Sequence, residues 1–61
     1  MSLHIETVSR GYAHEILEVL HEDGSPASYV ETVKYFNTHP ALHRFGSWII
    51  TGTNKIHYCT D

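Results

Sequence analysis

The stretch YAHEILEVLHEDG, residues 12–24, decides the fold. Ala13, Ile16, Leu17 and Leu20 stand at i, i+3, i+4 and i+7, the spacing of a single apolar stripe on a helix. Gly24 follows where a helix would end. The spacing predicts a helix over about residues 10–22, with Glu15, Glu18 and Glu22 off the stripe and free to form an acidic outer surface.

Upstream, LHIET sets Leu3 and Ile5 against His4 and Glu6, the alternation of a half-buried strand, while Ile5, Val8 and Tyr12 also fall at helical spacing. Gly11 favours a strand ending near Ser9, because glycine inside a helix costs about 1 kcal/mol relative to alanine. Downstream, a second helix has two candidate starts. Ser25 followed by Pro26 offers an N-cap and a first-turn proline, and Ser28 with Glu31 three residues on is a capping box. Tyr29, Val33 and Phe36 then line one face, with Val30 beside them. Asn37 and the bias of His39 away from helix before Pro40 end it. PALHRF can add a short helical turn closed by Gly46.

The closing segment GSWIITGTNKIHYCTD reads as a hairpin. A loop of Gly52, Thr53 and Asn54 sets Thr51 opposite Lys55, Ile50 opposite Ile56 and Trp48 opposite Tyr58, which gathers every large apolar side chain except Ile49 on one face. Asn54 tolerates the left-handed conformation that such a loop needs at its third position. Trp48 is therefore expected to face the core. The whole is expected to be one small α+β domain spanning residues 1–61, in the order β-α-α-β-β, with both helices on one face of the sheet.

A chain of 61 residues buries only about 60% of the surface its unfolded form exposes, so its core must be lean. Mini-domains of this size lean on disulfides, metals or partner subunits, and the lone Cys59 excludes an intrachain disulfide, which leaves self-association as an expectation. An unpaired cysteine fits a reducing compartment. No run reaches the roughly 18 apolar residues of a membrane span, and MSLHIET lacks the regions of a signal peptide. A soluble cytoplasmic protein is expected. The charge is unevenly spread: Glu6, Glu15, Glu18, Glu22, Asp23 and Glu31 against Arg10 give −5 over residues 1–31, while Lys34, Arg44 and Lys55 against Asp61 give +2 over residues 32–61.

Six histidines raise the question of metal. On a helix His14, Glu18 and His21 would share one face, and His39, His43, His57 and Cys59 have the ligand count of a zinc site. Nothing local makes either set converge, and a polar exposed face accounts for the first, so neither a metal nor any other cofactor is expected. Cys59 with His57 lacks the electropositive, enclosed setting of a catalytic thiolate. There is no glycine-rich phosphate loop and no nucleophile elbow. No enzymatic activity is expected.

Two helices, a short helical turn and a terminal hairpin with Lys55 at its corner resemble a winged helix-turn-helix module over residues 12–59, with GSWIIT as the strand opening the wing. That resemblance implies a DNA-binding transcriptional regulator contacting nucleic acid through Lys34, Arg44 and Lys55. Three formal positive charges are few for phosphate-driven binding, and the acidic half would repel a duplex. The composition better suits a small non-enzymatic regulatory or inhibitory module that docks on another protein. Glu15, Glu18, Glu22 and Tyr35 are its expected contacts, because seven aromatic residues (Tyr12, Tyr29, Tyr35, Phe36, Phe45, Trp48 and Tyr58) exceed what so lean a core can enclose and interfaces favour aromatics.

Overall fold

A computed structural model describes residues 2–43 and 46–59. The chain runs through β1 (Leu3–Gly11), β2 (His14–His21), α1 (Tyr29–Thr38), a 3-10 turn (Pro40–Leu42), β3 (Trp48–Ile49) and β4 (Lys55–Cys59). The strands form one antiparallel sheet in the order β1-β2-β4-β3. Two hairpins thus lie side by side, joined through their second strands. The architecture is α+β, with a single α-helix among the described residues where two were expected.

The helix expected over residues 10–22 is β2. Its apolar residues serve two faces of a central strand rather than one stripe of a helix. Leu17 and Val19 point into the core, while Ile16 and Leu20 alternate to the other side. A strand flanked on both sides can carry apolar residues at both parities, and the resulting run mimics helical spacing. β1 continues to Gly11, past the expected end at Ser9, and pairs with β2 from Leu3↔His21 to Gly11↔His14, with Val8 bulged where the register shifts. Gly11 marks the approach to the turn: a Cβ there would stand 3.0 Å from His14 Nε2. Tyr12 and Ala13 make the turn, and Ala13 has a positive φ of 64°.

α1 begins where the capping box predicts. Glu31 N–H donates to Ser28 Oγ at 3.1 Å, and Ser28 N–H donates to Glu31 Oε1 at 2.9 Å. Thr32 is fully buried, and Tyr35 and Phe36 pack against Leu17, Val19, Ala27, Leu42, Ile56 and Tyr58, the core cluster. Tyr29 and Val30, expected on the inner side, are exposed. α1 and the 3-10 turn together cover one face of the sheet. No helix among the described residues is long and apolar enough to cross a membrane.

The C-terminal hairpin forms, but one residue out of the expected register. Trp48 lies opposite His57 and Ile49 opposite Ile56. Ile50 N–H donates to Lys55 O at 3.0 Å, so the loop is residues 51–54, and its positive φ falls at Gly52 (76°), not Asn54. Asn54 is instead built into the sheet. It is 7% exposed; its carbonyl accepts from Val19 N–H at 2.9 Å and its side-chain amide donates to Val19 O at 2.8 Å. A one-residue slip exchanges the two faces of a strand, so Ile49 is inside and Trp48 outside.

An alanine at positive φ carries a strain of roughly 1–2 kcal/mol that glycine avoids. Ala13→Gly is expected to stabilise the fold by about 1 kcal/mol in urea unfolding; a loss of stability would contradict the turn. The Ser28 backbone N–H holds the Glu31 carboxyl below its usual value, with the charge of His21 as a further cause. The Ser25 hydroxyl and N–H do the same for Asp23. A carboxyl depressed in the folded state stabilises it above the unfolded value and loses that contribution as pH falls through the folded one. Thermal melts from about pH 5 down to about pH 3 are expected to show falling stability, less steeply in Glu31→Gln.

Candidate functional site

Among the described residues no helix or further strand packs over the face of the sheet away from α1, although Leu20 at one end of that face is buried, at 7% exposure. Antiparallel alternation sends His4 and Glu6 of β1, His14, Ile16 and Glu18 of β2, Lys55, His57 and Cys59 of β4, and Trp48 of β3 to this bare face. Its two ends differ in chemistry.

At the end nearer the β1–β2 turn the surface is aromatic and apolar. The Trp48 and His57 rings lie 4.4 Å apart at 54°, and His57 meets His14 edge to face at 5.5 Å and 79°. Ile16 lies directly opposite His57. Trp48 is 46% exposed, and at the nearby turn Tyr12 is 94% exposed. His57 Nε2 is itself covered and has no hydrogen-bond partner among the described residues, so its ring packs by shape and not by polar contact. At the other end Glu6 stands directly opposite Glu18. Each carboxylate has a partner elsewhere: Glu18 pairs with the Lys55 ammonium at 3.5 Å, and the His4 ring nitrogen lies 3.3 Å from Glu6.

The expected acidic contacts do not share a surface. Glu15 is on the core side of β2, where Arg10 donates to it at 2.8 Å and Thr7 Oγ1 at 3.1 Å. Glu18 is on the bare face, and Glu22 is exposed just beyond the strand. Tyr35 is half-buried on α1, stacked on His39 at 4.0 Å. Of the expected nucleic-acid contacts, Lys34 is exposed on α1 and Lys55 is on the sheet beside Glu18. Arg44 lies outside the described residues.

The histidines also separate. His14 and Glu18 are on the bare face, whereas His21 is on the other, 3.2 Å from Glu31. His39 Nδ1 donates to Tyr35 O at 2.8 Å and His43 Nε2 to Phe36 O at 2.6 Å, both on the α1 side and away from His57. Among the described residues no group of three or more His, Cys, Asp and Glu could hold a metal ion. A depression of about 370 Å³ lined by Ser2, His21, Glu22, Asp23 and Ser25 is open to solvent, and its polar groups already bond one another, as Ser25 Oγ does to Asp23 at 2.7 Å.

No known protein family matches the chain, and no curated protein or solved structure is significantly similar to it. The cluster of Trp48, His57, Ile16 and His14 was missed because the helical reading of residues 12–24 scattered it and the assumed hairpin register buried Trp48. The signal was present in the alternation of HEILEVLH, where His14, Ile16, Glu18 and Leu20 share one parity.

Burying a tryptophan fully makes its removal cost about 3–5 kcal/mol, whereas an exposed ring stacked on one neighbour contributes about 0.5–1.5 kcal/mol beyond its area. Trp48→Ala is expected to cost less than the roughly 3–5 kcal/mol of a fully buried tryptophan in urea unfolding. Asn54→Ala, which strips a buried partner from Val19 O, is expected to cost about 1–3 kcal/mol. A cost for Trp48→Ala within the roughly 3–5 kcal/mol of a buried tryptophan would return Trp48 to the core.

Proposed function

We propose that this chain is a small non-enzymatic module that regulates or inhibits another protein by docking on it through the bare face of its sheet. The observation that carries this reading is the exposed Trp48, tilted against His57 and flanked by Ile16 and His14, on a face over which no helix or further strand packs among the described residues. Tryptophan held rigid by a neighbour is the side chain most often found at energetic centres of interfaces. A rim of charge, Glu6, Glu18 and Lys55, beside an aromatic centre is the usual anatomy of such a surface. Tyr12 at the hairpin tip extends the reach of the same end.

This reading moves the contact from an acidic helix to a sheet face and retains the role of exposed aromatics. The nucleic-acid alternative has lost its premise, because the first helix of the expected helix-turn-helix is β2. Its Lys55 is engaged by Glu18, and one further carboxylate, that of Glu6, would face a phosphate backbone approaching that end of the sheet.

A photo-crosslinking residue at position 48, compared with one at Val30, which is 67% exposed on α1, tests the surface directly in the native host. A discrete adduct is expected from position 48 and not from position 30, and it should vanish with Ile16→Arg in a chain that keeps its circular dichroism. Equal labelling from both positions, or none from 48, would count against the bare face as the contact.

A further inference from the structure

The outer edge of β1 is open, and its backbone is set for pairing. Val19 turns both of its main-chain groups toward β4, bonding Asn54 O, Ala27 N–H and the Asn54 amide. In an antiparallel ladder bonded and non-bonded pairs alternate. Ile5, which faces Val19, therefore directs its own N–H and C=O to the open edge, and so do Leu3 and Thr7, two residues to either side. β1 is the terminal strand of the sheet. Nothing among the described residues pairs with that edge.

Strand edges are commonly guarded by lysine, proline or a bulge. The segment LHIET carries no lysine and no proline, and the bulge lies at Val8, past its end. The flat, unguarded run is Leu3–Thr7.

We propose that this edge binds a second copy of the chain, β1 against β1 in antiparallel register about Ile5. That register sets Ile5 opposite Ile5 and Leu3 opposite Thr7, joining the main-chain groups that point outward. Leu3 and Ile5, half-buried at the margin of the core, are extended by their counterparts on the same face. The hydrogen-bonding side chains of this run decide between a second copy and any other partner. Glu6 faces Glu18 inside its own sheet, a like-charge pair that opposes folding, and the cation of Glu18, Lys55, sits on its far side. Glu6 is met by its own His4 at 3.3 Å, and in the two-copy register the His4 ring of the second copy reaches the other side of the same carboxylate as a further donor, with the reverse contact formed by symmetry. LHIET is its own complement.

Sedimentation equilibrium of the whole chain across micromolar concentrations tests this. A dimer is expected. Thr7→Pro removes an outward donor that the β1–β2 ladder does not use, so it is expected to weaken the dimer about tenfold or more with the circular dichroism unchanged. Glu6→Lys removes the acceptor that the His4 ring of the second copy meets and is expected to weaken it similarly, and adding His4→Glu to Glu6→Lys, which sets a carboxylate opposite a cation again, is expected to restore it. In a mixture of isotope-labelled and unlabelled chains, a filtered nuclear Overhauser contact is expected between the Hα of His4 and the Hα of Glu6 in opposite copies. A monomer at every concentration would overturn the proposal. So would a dimer that Thr7→Pro and Glu6→Lys leave intact but Trp48→Ala disrupts, since that dimer would be joined through the bare face. Crosslinking from position 48 to a different protein is unaffected by either result, so the two readings stand or fall separately.

Discussion

The pair of hydrogen bonds between Asn54 and Val19 fixes how the two hairpins of this sheet meet. The hairpins share only the β2–β4 ladder, and the register of that ladder decides which side of β4 turns inward. Leu17 faces Ile56 in the observed register, with Tyr58 next along the same face. Slipping β4 by one residue would turn Ile56 and Tyr58 out and Lys55 and His57 in. Asn54, at the first position before β4, bonds Val19 through both main chain and side chain, and a one-residue slip would leave its amide buried without an acceptor. A buried amide without its partner costs about 1–3 kcal/mol, a large fraction of the stability of so small a domain.

What could be read from the sequence was what depends on neighbours in the chain. The capping box of Ser28 and Glu31 is closed within a few residues and forms as expected. The C-terminal hairpin also forms, because two β-rich runs flank a glycine-containing turn. Residues 12–24 were misread because the signal there is not local. Ala13, Ile16, Leu17 and Leu20 satisfy a helical stripe, yet β2 gains a hydrogen-bonded neighbour on each side that no isolated periodicity reveals. The hairpin register failed for the same reason. Gathering apolar residues on one face was the right rule applied to one hairpin alone, while the sheet as a whole required Asn54 to continue β4 toward Val19. Trp48 moved from core to surface as a consequence.

The bare face follows from how little helix the described residues set on the sheet. One helix of ten residues and a 3-10 turn can roof one side of a four-stranded sheet and no more. The core gathers under that roof, and the side chains of opposite parity remain where a partner could reach them. Most of those positions are polar, as a solvated antiparallel face should be, with His4, Glu6, Glu18 and Lys55 in a cross-strand group. Trp48, His57 and Ile16 depart from that pattern. The proposed docking rests on this departure, an aromatic and apolar cluster on a face that is otherwise polar.

The edge and the face also bear on each other through symmetry. Two copies joined along β1 about Ile5 are related by an axis normal to the sheet, because antiparallel partners across such an axis keep the same side chains on the same side. Both α1 layers then lie on one side and both bare faces on the other. Trp48 sits on the strand farthest from β1 in the order β1-β2-β4-β3, so the two aromatic clusters fall at opposite ends of a continuous eight-stranded surface, with the His4 and Glu6 contacts between them. Such a surface presents two equal contacts at fixed separation. It would engage a two-fold partner far more tightly than either cluster alone, because the second contact forms at the high effective concentration set by the first.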